Sequence, residues 1–346
     1  MALRSGQTSG RLVVDARSRR LIIYLPHRQP IWMLPGASLE TVRRRAMKHF
    51  DIEVPMNEEA FARALPGAEV LFAWGLARRL ADKADALRWL HTPLAGVDRV
   101  LSPELLKSAI RVTSSRGVNS VAVAEHTLGL VLAMTRGIAD AVRAQAERRW
   151  AQQDLYARQP PLEELSGKLL GILGLGDIGR ELAVRARALG MTVWGLARTA
   201  RPKPDCVDRL LLAGKEEALL RDSDVLVLAV PLTRATHGMI GERQLKKMKH
   251  SALLINIGRG ELVQESALVR ALREGWLAGA GLDVFAAEPL PPSSPLWTLP
   301  QVVITPHIAG THPQYMARSA DLFVHNLKRY LAGEPLINEV DKQAGY

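Results

Sequence analysis

Short apolar runs alternate along the chain with longer stretches in which apolar residues recur at helical spacing. The runs predict strands at 21–25, 69–74, 87–92, 111–115, 169–174, 191–196, 224–230, 252–258 and 302–306. The longer stretches predict helices at 39–48, 58–64, 102–108, 121–148, 178–189, 215–221, 242–248, 264–274 and 313–332. Strands that alternate with helices are typical of βαβ units, so the pattern predicts an α/β fold with parallel sheets.

The pattern also divides the chain, whose 346 residues suit two domains better than one. The stretch 121–148 predicts one long helix, apolar at its start and charged at its end, as expected where a helix is buried between domains or subunits. A second break follows at AGTHP, after which the last helix would return to the first domain. We therefore predict a domain at 118–311 inserted into a discontinuous domain of 1–117 and 312–346.

A glycine-rich string, GLGDIG, follows one predicted strand and opens the next predicted helix. Gly174 permits a tight turn, Gly176 lets the backbone approach a pyrophosphate, and Gly179 lets the helix pack close to the sheet. The helix N-terminus would then offer amide donors and partial positive charge to the phosphates. A GxGxxG string alone occurs by chance, but the strand–loop–helix context predicts a bound dinucleotide rather than a turn without a ligand.

The end of the next strand indicates which dinucleotide is preferred. An NAD site usually has Asp or Glu there, whereas this chain has Arg198 and Thr199, and its first acid after the strand is Asp205. An acid repels a 2′-phosphate, while an arginine binds it with a forked, charge-assisted contact to which the threonine hydroxyl can add. The sequence therefore predicts NADP(H) as the preferred cofactor, with a surface arginine beside an NAD(H) pocket as the alternative.

Three polar residues occur in later motifs, Arg259 in INIGRG, Glu288 in FAAEPL and His307 in ITPHIAG, and the first and last of them follow predicted strands. Hydride transfer to a ketone leaves negative charge on oxygen, and a histidine can supply the proton near neutral pH. Glu288 can hold one imidazole tautomer and stabilise its charged form, although Asp283 could take that part or contact the cofactor. The Arg259 guanidinium can engage a carboxylate and a carbonyl oxygen. Together these residues predict hydride transfer on a 2-oxo or 2-hydroxy acid.

The net charge of +11 is concentrated at the start of the chain. Residues 1–50 hold 10 Lys and Arg against 2 Asp and Glu, so the other 296 residues carry only +3. Aromatic residues make up 5% of the chain, too few to suggest the aromatic-lined groove of a nucleic-acid enzyme. We therefore expect a solvated face and no nucleic-acid partner, and at the Arg-rich start either a disordered lead-in or an organellar transit peptide.

Other features of the composition narrow the class of protein. The single cysteine, Cys206, excludes an intramolecular disulfide and fits a reducing cytoplasm. No apolar run approaches the ~20 residues that a membrane helix needs. No His, Cys and Asp cluster has the spacing of metal ligands. We therefore expect a cytoplasmic protein with no membrane partner and no metal.

With these motifs in view, the chain resembles the D-isomer-specific 2-hydroxyacid dehydrogenases. The resemblance rests on LAGVD, VAEHTLGLVLAMTR, LSGKLLGILGLGDIG, VPLTRATHGMI, LLINIGRGELV, GLDVFAAEPLPPSSPLW and VVITPHIAG, which cover roughly residues 90–312 in the family's order. It implies a Rossmann dinucleotide domain inserted into a flavodoxin-like substrate domain, and a homodimer formed through the dinucleotide domains. Within the family, the LPPSSPLW segment and the VDKQAGY tail are most similar to the glyoxylate/hydroxypyruvate reductase A type.

The resemblance also implies roles for individual residues. The catalytic set would be Arg259, Glu288 and His307, and the backbone of Ala95, Gly96 and Val97 would receive the substrate carboxylate. The expected cofactor contacts are Gly174, Gly176, Asp177, Ile178, Gly179, Arg198, Thr199, Val230, Pro231, Leu232, Thr236, Ile257, Gly258, Arg259, Asp283, His307, Ala309 and Gly310. Of these, Val230, Pro231 and Leu232 would line the nicotinamide side and Asp283 would meet the carboxamide.

These features predict an NADPH-dependent reductase of glyoxylate, hydroxypyruvate or a similar small 2-oxo acid. Glu288 argues against the related formate dehydrogenases, which have glutamine beside the histidine. The LAGVD loop lacks the lysine of the related phosphite dehydrogenases. A dinucleotide-sensing protein, like the transcriptional corepressors that share the fold, is the alternative.

Overall fold

A computed structural model describes residues 19–346, which form two parallel β-sheets covered by helices. The first sheet contains β1 (Arg20–Tyr24), β2 (Asp51–Glu53), β3 (Ala68–Ala73), β4 (Trp89–Thr92) and β5 (Arg111–Ser114). The second contains β6 (Leu169–Leu173), β7 (Thr192–Ala197), β8 (Arg209–Leu212), β9 (Val225–Leu228), β10 (Leu253–Asn256), β11 (Gly279–Leu282) and β12 (Val302–Ile304). The prediction of two parallel α/β sheets is confirmed.

Helices fill most of the connections between these strands. In the described range they are α1 (Gly36–Ala46), α2 (Glu58–Ala64), α3 (Pro103–Lys107), α4 (Ser120–Thr135), α5 (Ile138–Ala146), α6 (Gln152–Tyr156), α7 (Asp177–Ala188), α8 (Glu216–Asp222), α9 (Glu242–Leu245), α10 (Glu265–Arg273) and α11 (Tyr315–Leu331). Short 3-10 helices lie at Pro30–Trp32, Arg78–Lys83, Gly260–Leu262 and Pro295–Thr298. The residues of β9 and β10 are all buried, as expected where helices cover both faces of a parallel sheet.

The strand order shows that both sheets are doubly wound. The first runs β2-β1-β3-β4-β5, which is the flavodoxin-like order, and the second runs β12-β11-β10-β9-β6-β7-β8. In the second sheet the direction of winding reverses between β6 and β9. Ligands of such sheets bind outside the carboxyl ends of the strands at the point of reversal. The topology therefore places the glycine-rich loop after β6 at this crevice.

The chain passes twice between the two sheets. Helix α4 packs on the second sheet, where Val131 joins the same core as Ile172. Helix α11 packs on the first sheet, where the Phe323 ring stacks 4.6 Å from that of Phe72 and 5.2 Å from that of Trp89. The domain boundaries at 117/118 and 311/312 remain a proposal, and this packing supports it.

The predicted single helix at 121–148 is wrong. Gly137 adopts a left-handed φ of 65°, and the chain bends by 72° between α4 and α5. Part of the predicted loop after it forms α6. Across residues 19–346 no one helix has both the length and the apolar character to cross a membrane, and α4 with α5 reaches that only as a bent pair.

Three strands escaped the sequence patterns: β2, β8 and β11. β11 has the sequence GAGL, which is poor in the residues that favour strands. A Cβ at Gly279 would lie 2.6 Å from the Gln301 carbonyl oxygen and 2.8 Å from the end of the Met134 side chain on α4. The small residues thus let α4 approach the sheet, and this packing overrides the local propensity.

Predictions about residues 1–18, which include much of the Arg-rich start, lie outside the described residues. From residue 19 onward, no group of three or more His, Cys, Asp or Glu side chains is placed to hold a metal ion.

Candidate active site

The glycine-rich loop joins β6 to α7 with the geometry that a dinucleotide requires. Gly174 has a φ of 101°, and a Cβ there would lie 2.5 Å from the Ala229 carbonyl oxygen, so a glycine is needed at this turn. A Cβ at Gly179 would overlap the Gly174 carbonyl oxygen. By contrast, Gly176 faces open space, with nothing within 4 Å of its Cβ position. That open space at the start of α7, which begins with Asp177 and Ile178, fits a phosphate group.

Basic side chains surround this loop. Arg198 and Thr199 lie exposed at the end of β7. Arg201 donates a hydrogen bond to the Leu175 carbonyl inside the loop, while its Nε is buried without a partner in the described range. Burial, followed by the charge of Arg180, lowers the pKa of Arg201. This orphaned donor and the clustered positive charge fit the phosphates of a dinucleotide.

The predicted catalytic residues come from loops at the carboxyl ends of three neighbouring strands, β10, β11 and β12. The Asp283 amide donates to the Asn256 carbonyl at 3.0 Å, and the His307 amide donates to the Asp283 carbonyl at 2.8 Å. These backbone contacts join the three strand ends side by side. The structure thus brings Arg259, Glu288 and His307 to one edge of the second sheet.

Arg259 is held in place from both sides of the cleft. The Asn256 side chain donates a hydrogen bond to the Arg259 carbonyl at 2.8 Å, which fixes the turn. Across the cleft, Asp98 Oδ1 accepts from the Nε and Nη2 of Arg259 at 3.1 and 2.9 Å. The guanidinium passes directly over Gly96, where any Cβ would overlap it. The predicted substrate loop and the predicted arginine therefore meet.

His307 and Glu288 form the expected pair. The distance between His307 Nδ1 and Glu288 Oε2 is 2.9 Å, and the imidazole is 44% exposed toward solvent. Burial raises the pKa of Glu288, but hydrogen bonds from His307 and the Phe285 amide and the charge of Arg99 outweigh it, so the pKa is lowered overall. The carboxylate is therefore ionised near neutral pH and can orient the imidazole.

The backbone that carries His307 is itself constrained. His307 has a φ of 53°, a left-handed conformation that is uncommon for residues other than glycine. The Asp283 carboxylate accepts hydrogen bonds from Thr305 Oγ1 at 2.6 Å and from the amides of Ile308 and Ala309 at 3.0 Å each. Asp283 is 1% exposed, so it fixes the loop from beneath. The contact expected between Asp283 and the carboxamide of the nicotinamide remains a prediction.

The other predicted cofactor residues lie around the same crevice. A Cβ at Gly174 would lie 2.8 Å from the Val230 amide nitrogen, and a Cβ at Gly258 would lie 3.0 Å from the Val230 carbonyl oxygen. Val230 therefore lies between the two loops. Thr236 Oγ1 donates to the Pro231 carbonyl at 2.7 Å and closes the turn that contains half-buried Leu232.

Ile257 and Ala309 are buried in the core that includes residues of β6 and α4. Gly310 lies against the start of α4, where a Cβ would come within 2.5 Å of Asn119 Nδ2.

Aromatic side chains stand behind the substrate loop. Half-buried Ala95 and Gly96 and buried Val97 follow Pro93, whose carbonyl accepts a hydrogen bond from the Tyr315 hydroxyl at 2.8 Å. Burial raises the pKa of Tyr315 to about 12.

The rings of Trp32 and Tyr315 lie 5.0 Å apart, and those of Trp32 and Trp74 lie 6.4 Å apart. The patterns in the sequence did not single out this aromatic wall, because its members are far apart in the chain.

Several other functional candidates lie in or beside the motifs named above, although the sequence patterns did not single them out. Asp98 belongs to LAGVD and Arg99 follows it, and the latter lies 3.7 Å from Glu288. Asn256 belongs to INIGRG, and Thr305 precedes the PH of ITPHIAG. The available signal was a polar residue inside or directly beside one of these motifs.

Comparisons with known proteins agree with this geometry. Residues 128–309 match the family model described as "D-isomer specific 2-hydroxyacid dehydrogenase, NAD binding domain". A glyoxylate reductase of Thermofilum pendens is 36% identical over 317 residues, 87% of this chain and 89% of that protein. A glycerate dehydrogenase of Methylorubrum extorquens is 35% identical over 294 residues, 82% of this chain and 90% of that protein.

Solved structures give the same result. An NADPH-dependent glyoxylate/hydroxypyruvate reductase of Sinorhizobium meliloti, in complex with NADP and sulfate, superposes with a TM-score of 0.79 at 26% identity, covering 95% of this chain and 100% of that one. A D-isomer specific 2-hydroxyacid dehydrogenase of Xanthobacter autotrophicus, in complex with NADPH and MES, gives 0.79 at 29% identity, with coverage of 95% and 100%.

The chain therefore belongs to the D-isomer-specific 2-hydroxyacid dehydrogenases. It is an oxidoreductase of the NAD(P)-dependent class that interconverts 2-oxo and 2-hydroxy acids.

Proposed function

We propose that this enzyme reduces glyoxylate, hydroxypyruvate or a similar small 2-oxo acid to the D-2-hydroxy acid with NADPH. The observation that carries the proposal is the placement of Arg259, Glu288 and His307 at three adjacent strand ends beside the glycine-rich loop. The loop, Arg198 and Arg201 would hold the cofactor, which supplies the hydride when bound. Names of relatives that reduce glyoxylate support the choice of acid.

Arg259 would orient the substrate. Two of its nitrogens contact Asp98, and Nη1 donates to the Gly258 carbonyl at 2.9 Å, so one hydrogen on each terminal nitrogen is left for the substrate. These donors can engage the carboxylate and the carbonyl oxygen, with the backbone of the Ala95–Val97 loop opposite. The charge of Arg259 would stabilise the oxygen as it becomes negative.

His307 would donate the proton to that oxygen. Since Nδ1 faces Glu288, the proton to be delivered sits on Nε2, the other ring nitrogen. Glu288 holds this orientation and stabilises the imidazolium, as a carboxylate partner does for a catalytic histidine. The cleft between the two sheets would close over the substrate and exclude water.

The preference for NADP(H) rests on the end of β7. Arg198 lies there with no acidic neighbour at the position where an NAD enzyme usually has Asp or Glu. Two solved relatives that contain NADP or NADPH support this preference. NAD(H) remains the alternative cofactor.

The enzyme would act as a homodimer. Trp150 is 87% exposed, and Ile138, Val142 and Tyr156 are also exposed nearby in sequence on or beside α5 and α6. These exposed apolar side chains support a subunit contact at this segment. Size-exclusion chromatography with light scattering would give twice the chain mass, and a monomer would rule out this assembly.

The test is the loss of NADPH absorbance, and separately of NADH absorbance, with glyoxylate, hydroxypyruvate, pyruvate and phenylpyruvate. We expect turnover with NADPH and a small acid. Greater efficiency with NADH would refute the role of Arg198. Tight dinucleotide binding without turnover of any of these acids would favour the sensing protein instead.

A further inference from the structure

The segment 339–346 is attached to the first sheet, on the opposite side of the cleft from Arg198. Glu339 pairs with Thr113 in an antiparallel bridge, and the Val340 amide donates to the Val112 carbonyl at 2.8 Å. Val340 is 8% exposed and joins the core of that sheet. The segment is thus an extra edge beside β5 rather than a loosely held end.

Beyond Val340 the chain folds into a closed turn. The Asp341 amide donates to the Tyr346 carbonyl at 3.0 Å, and the Gly345 amide donates to the Asp341 carbonyl at 2.8 Å. Gly345 has a φ of 82°, which a glycine adopts without strain. Lys342 Nζ donates to the Ser108 carbonyl at 2.9 Å and ties the turn to the first sheet's loops. These contacts fix where the Tyr346 ring lies.

The Tyr346 ring crosses to the second sheet and covers Arg198. The distance from the Arg198 Cζ to the ring centroid is 4.9 Å, within the range of a cation–π contact. Arg198 is exposed, and across residues 19–346 its side chain has neither a hydrogen-bond partner nor an ion-pair partner. The aromatic ring is therefore its one specific contact in the described range.

We propose that Tyr346 is a positioning residue that selects NADPH over NADH. The inference rests on the cofactor preference proposed above. A guanidinium has two faces and a rim of N–H donors, and a ring on one face leaves the rim free for a 2′-phosphate. Holding Arg198 in place before binding removes part of the entropy lost when a long side chain is ordered. NADH lacks the phosphate, so the ring would not affect its binding through Arg198.

The test compares dissociation constants of NADPH and NADH for the full-length wild type and Tyr346→Ala, measured by titration calorimetry without substrate. An exposed cation–π contact corresponds to a change of about two- to fivefold in affinity. We expect Tyr346→Ala to weaken the binding of NADPH by about this factor and to leave the affinity for NADH unchanged. Tyr346→Phe should retain the wild-type value because it keeps the ring, and Tyr346→Leu keeps bulk but should behave like alanine.

Two further variants isolate the contact. Lys246→Gln removes a cation–π contact of similar length elsewhere, where Lys246 Nζ lies 4.6 Å from the Trp276 ring, and should change neither constant. In an Arg198→Ala background, Tyr346→Ala should cause no further change in the dissociation constant of NADPH. Equal losses for both cofactors, tighter NADPH binding by Tyr346→Ala, or an undiminished effect without Arg198 would each overturn the inference.

The outcomes separate this inference from the proposed function. If the wild type reduces glyoxylate with NADPH but Tyr346→Ala binds NADPH normally, only the role of Tyr346 fails. If the wild type binds NADH better than NADPH, the cofactor preference fails and the role of Tyr346 fails with it.

Discussion

The two sheets contribute to the cleft in different ways. The second sheet supplies strand ends and backbone, so that Gly174 makes the turn of the phosphate loop and β10, β11 and β12 present the predicted catalytic residues. The first sheet supplies side chains that reach across, among them Asp98 to Arg259 and Arg99 toward Glu288. The second sheet therefore carries the predicted catalytic residues, and the first sheet supplies side chains that orient them. Substitutions on the second should cause the largest losses of turnover or of substrate capture, whereas those on the first should cause smaller shifts in substrate affinity.

The largest effect should follow from His307→Ala. Loss of a general acid lowers turnover by about 10²–10⁴. Because His307 faces the cleft without being the carboxylate anchor, we expect kcat to fall and KM to change little. Steady-state kinetics with NADPH and glyoxylate would check this, and a variant with wild-type kcat would remove His307 from the mechanism.

Arg259→Ala should come next, with a fall in kcat/KM of about 10²–10³. The loss should appear mainly in substrate capture, since the guanidinium would hold the carboxylate. Arg259→Lys keeps the charge but not the forked donor geometry of the guanidinium, so it should recover only a small part of the lost kcat/KM. An equal kcat/KM in Arg259→Ala and the wild type would contradict the assignment.

Asp98→Asn tests the first sheet. Asp98 fixes the Arg259 guanidinium by a charge-assisted contact, whose loss corresponds to about tenfold or more in affinity. We expect KM for the acid to rise by that order and the affinity for NADPH to stay constant. A lower KM would mean instead that Asp98 competes with the substrate carboxylate.

The smallest expected effect is a pH-dependent change in the stability of the fold when Glu288 is substituted. Its pKa in the folded protein is lowered from an ordinary value of 4.5, so ionisation stabilises the fold at higher pH. That contribution is fully present above 4.5 and is lost as the pH falls through the lowered folded value. Thermal unfolding of the wild type and Glu288→Gln should therefore differ at pH 7 and converge on acidification. If the difference in thermal stability between the two proteins widened at low pH, ionised Glu288 would not stabilise the fold.

Local motifs made the second sheet predictable. INIGRG and ITPHIAG each contain a strand end and the turn that follows, and GLGDIG begins directly after a strand, so the sequence indicated both the element and the residue. Missing from that prediction were β8 and β11, and GAGL in β11 has strand geometry only through packing against α4. The break at Gly137 was missed because its neighbours on both sides favour a helix.

The first sheet was less predictable because its contacts join distant parts of the chain. Asp98 and Arg259 are 161 residues apart, and Tyr315 and Pro93 are 222 apart. Nothing in the local pattern around Asp98 specifies that partner. All strands of this sheet except β2 were predicted, but their side chains acquire roles only when the two sheets face each other.

Gly96 has a consequence for how the substrate range of this enzyme can change. The Arg259 guanidinium occupies the space into which any side chain at this position would extend. A mutational library at Gly96 should therefore yield few active members. New substrates would have to be accommodated by changes elsewhere in the cleft, while Gly96 and Arg259 keep the anchor for the acid group.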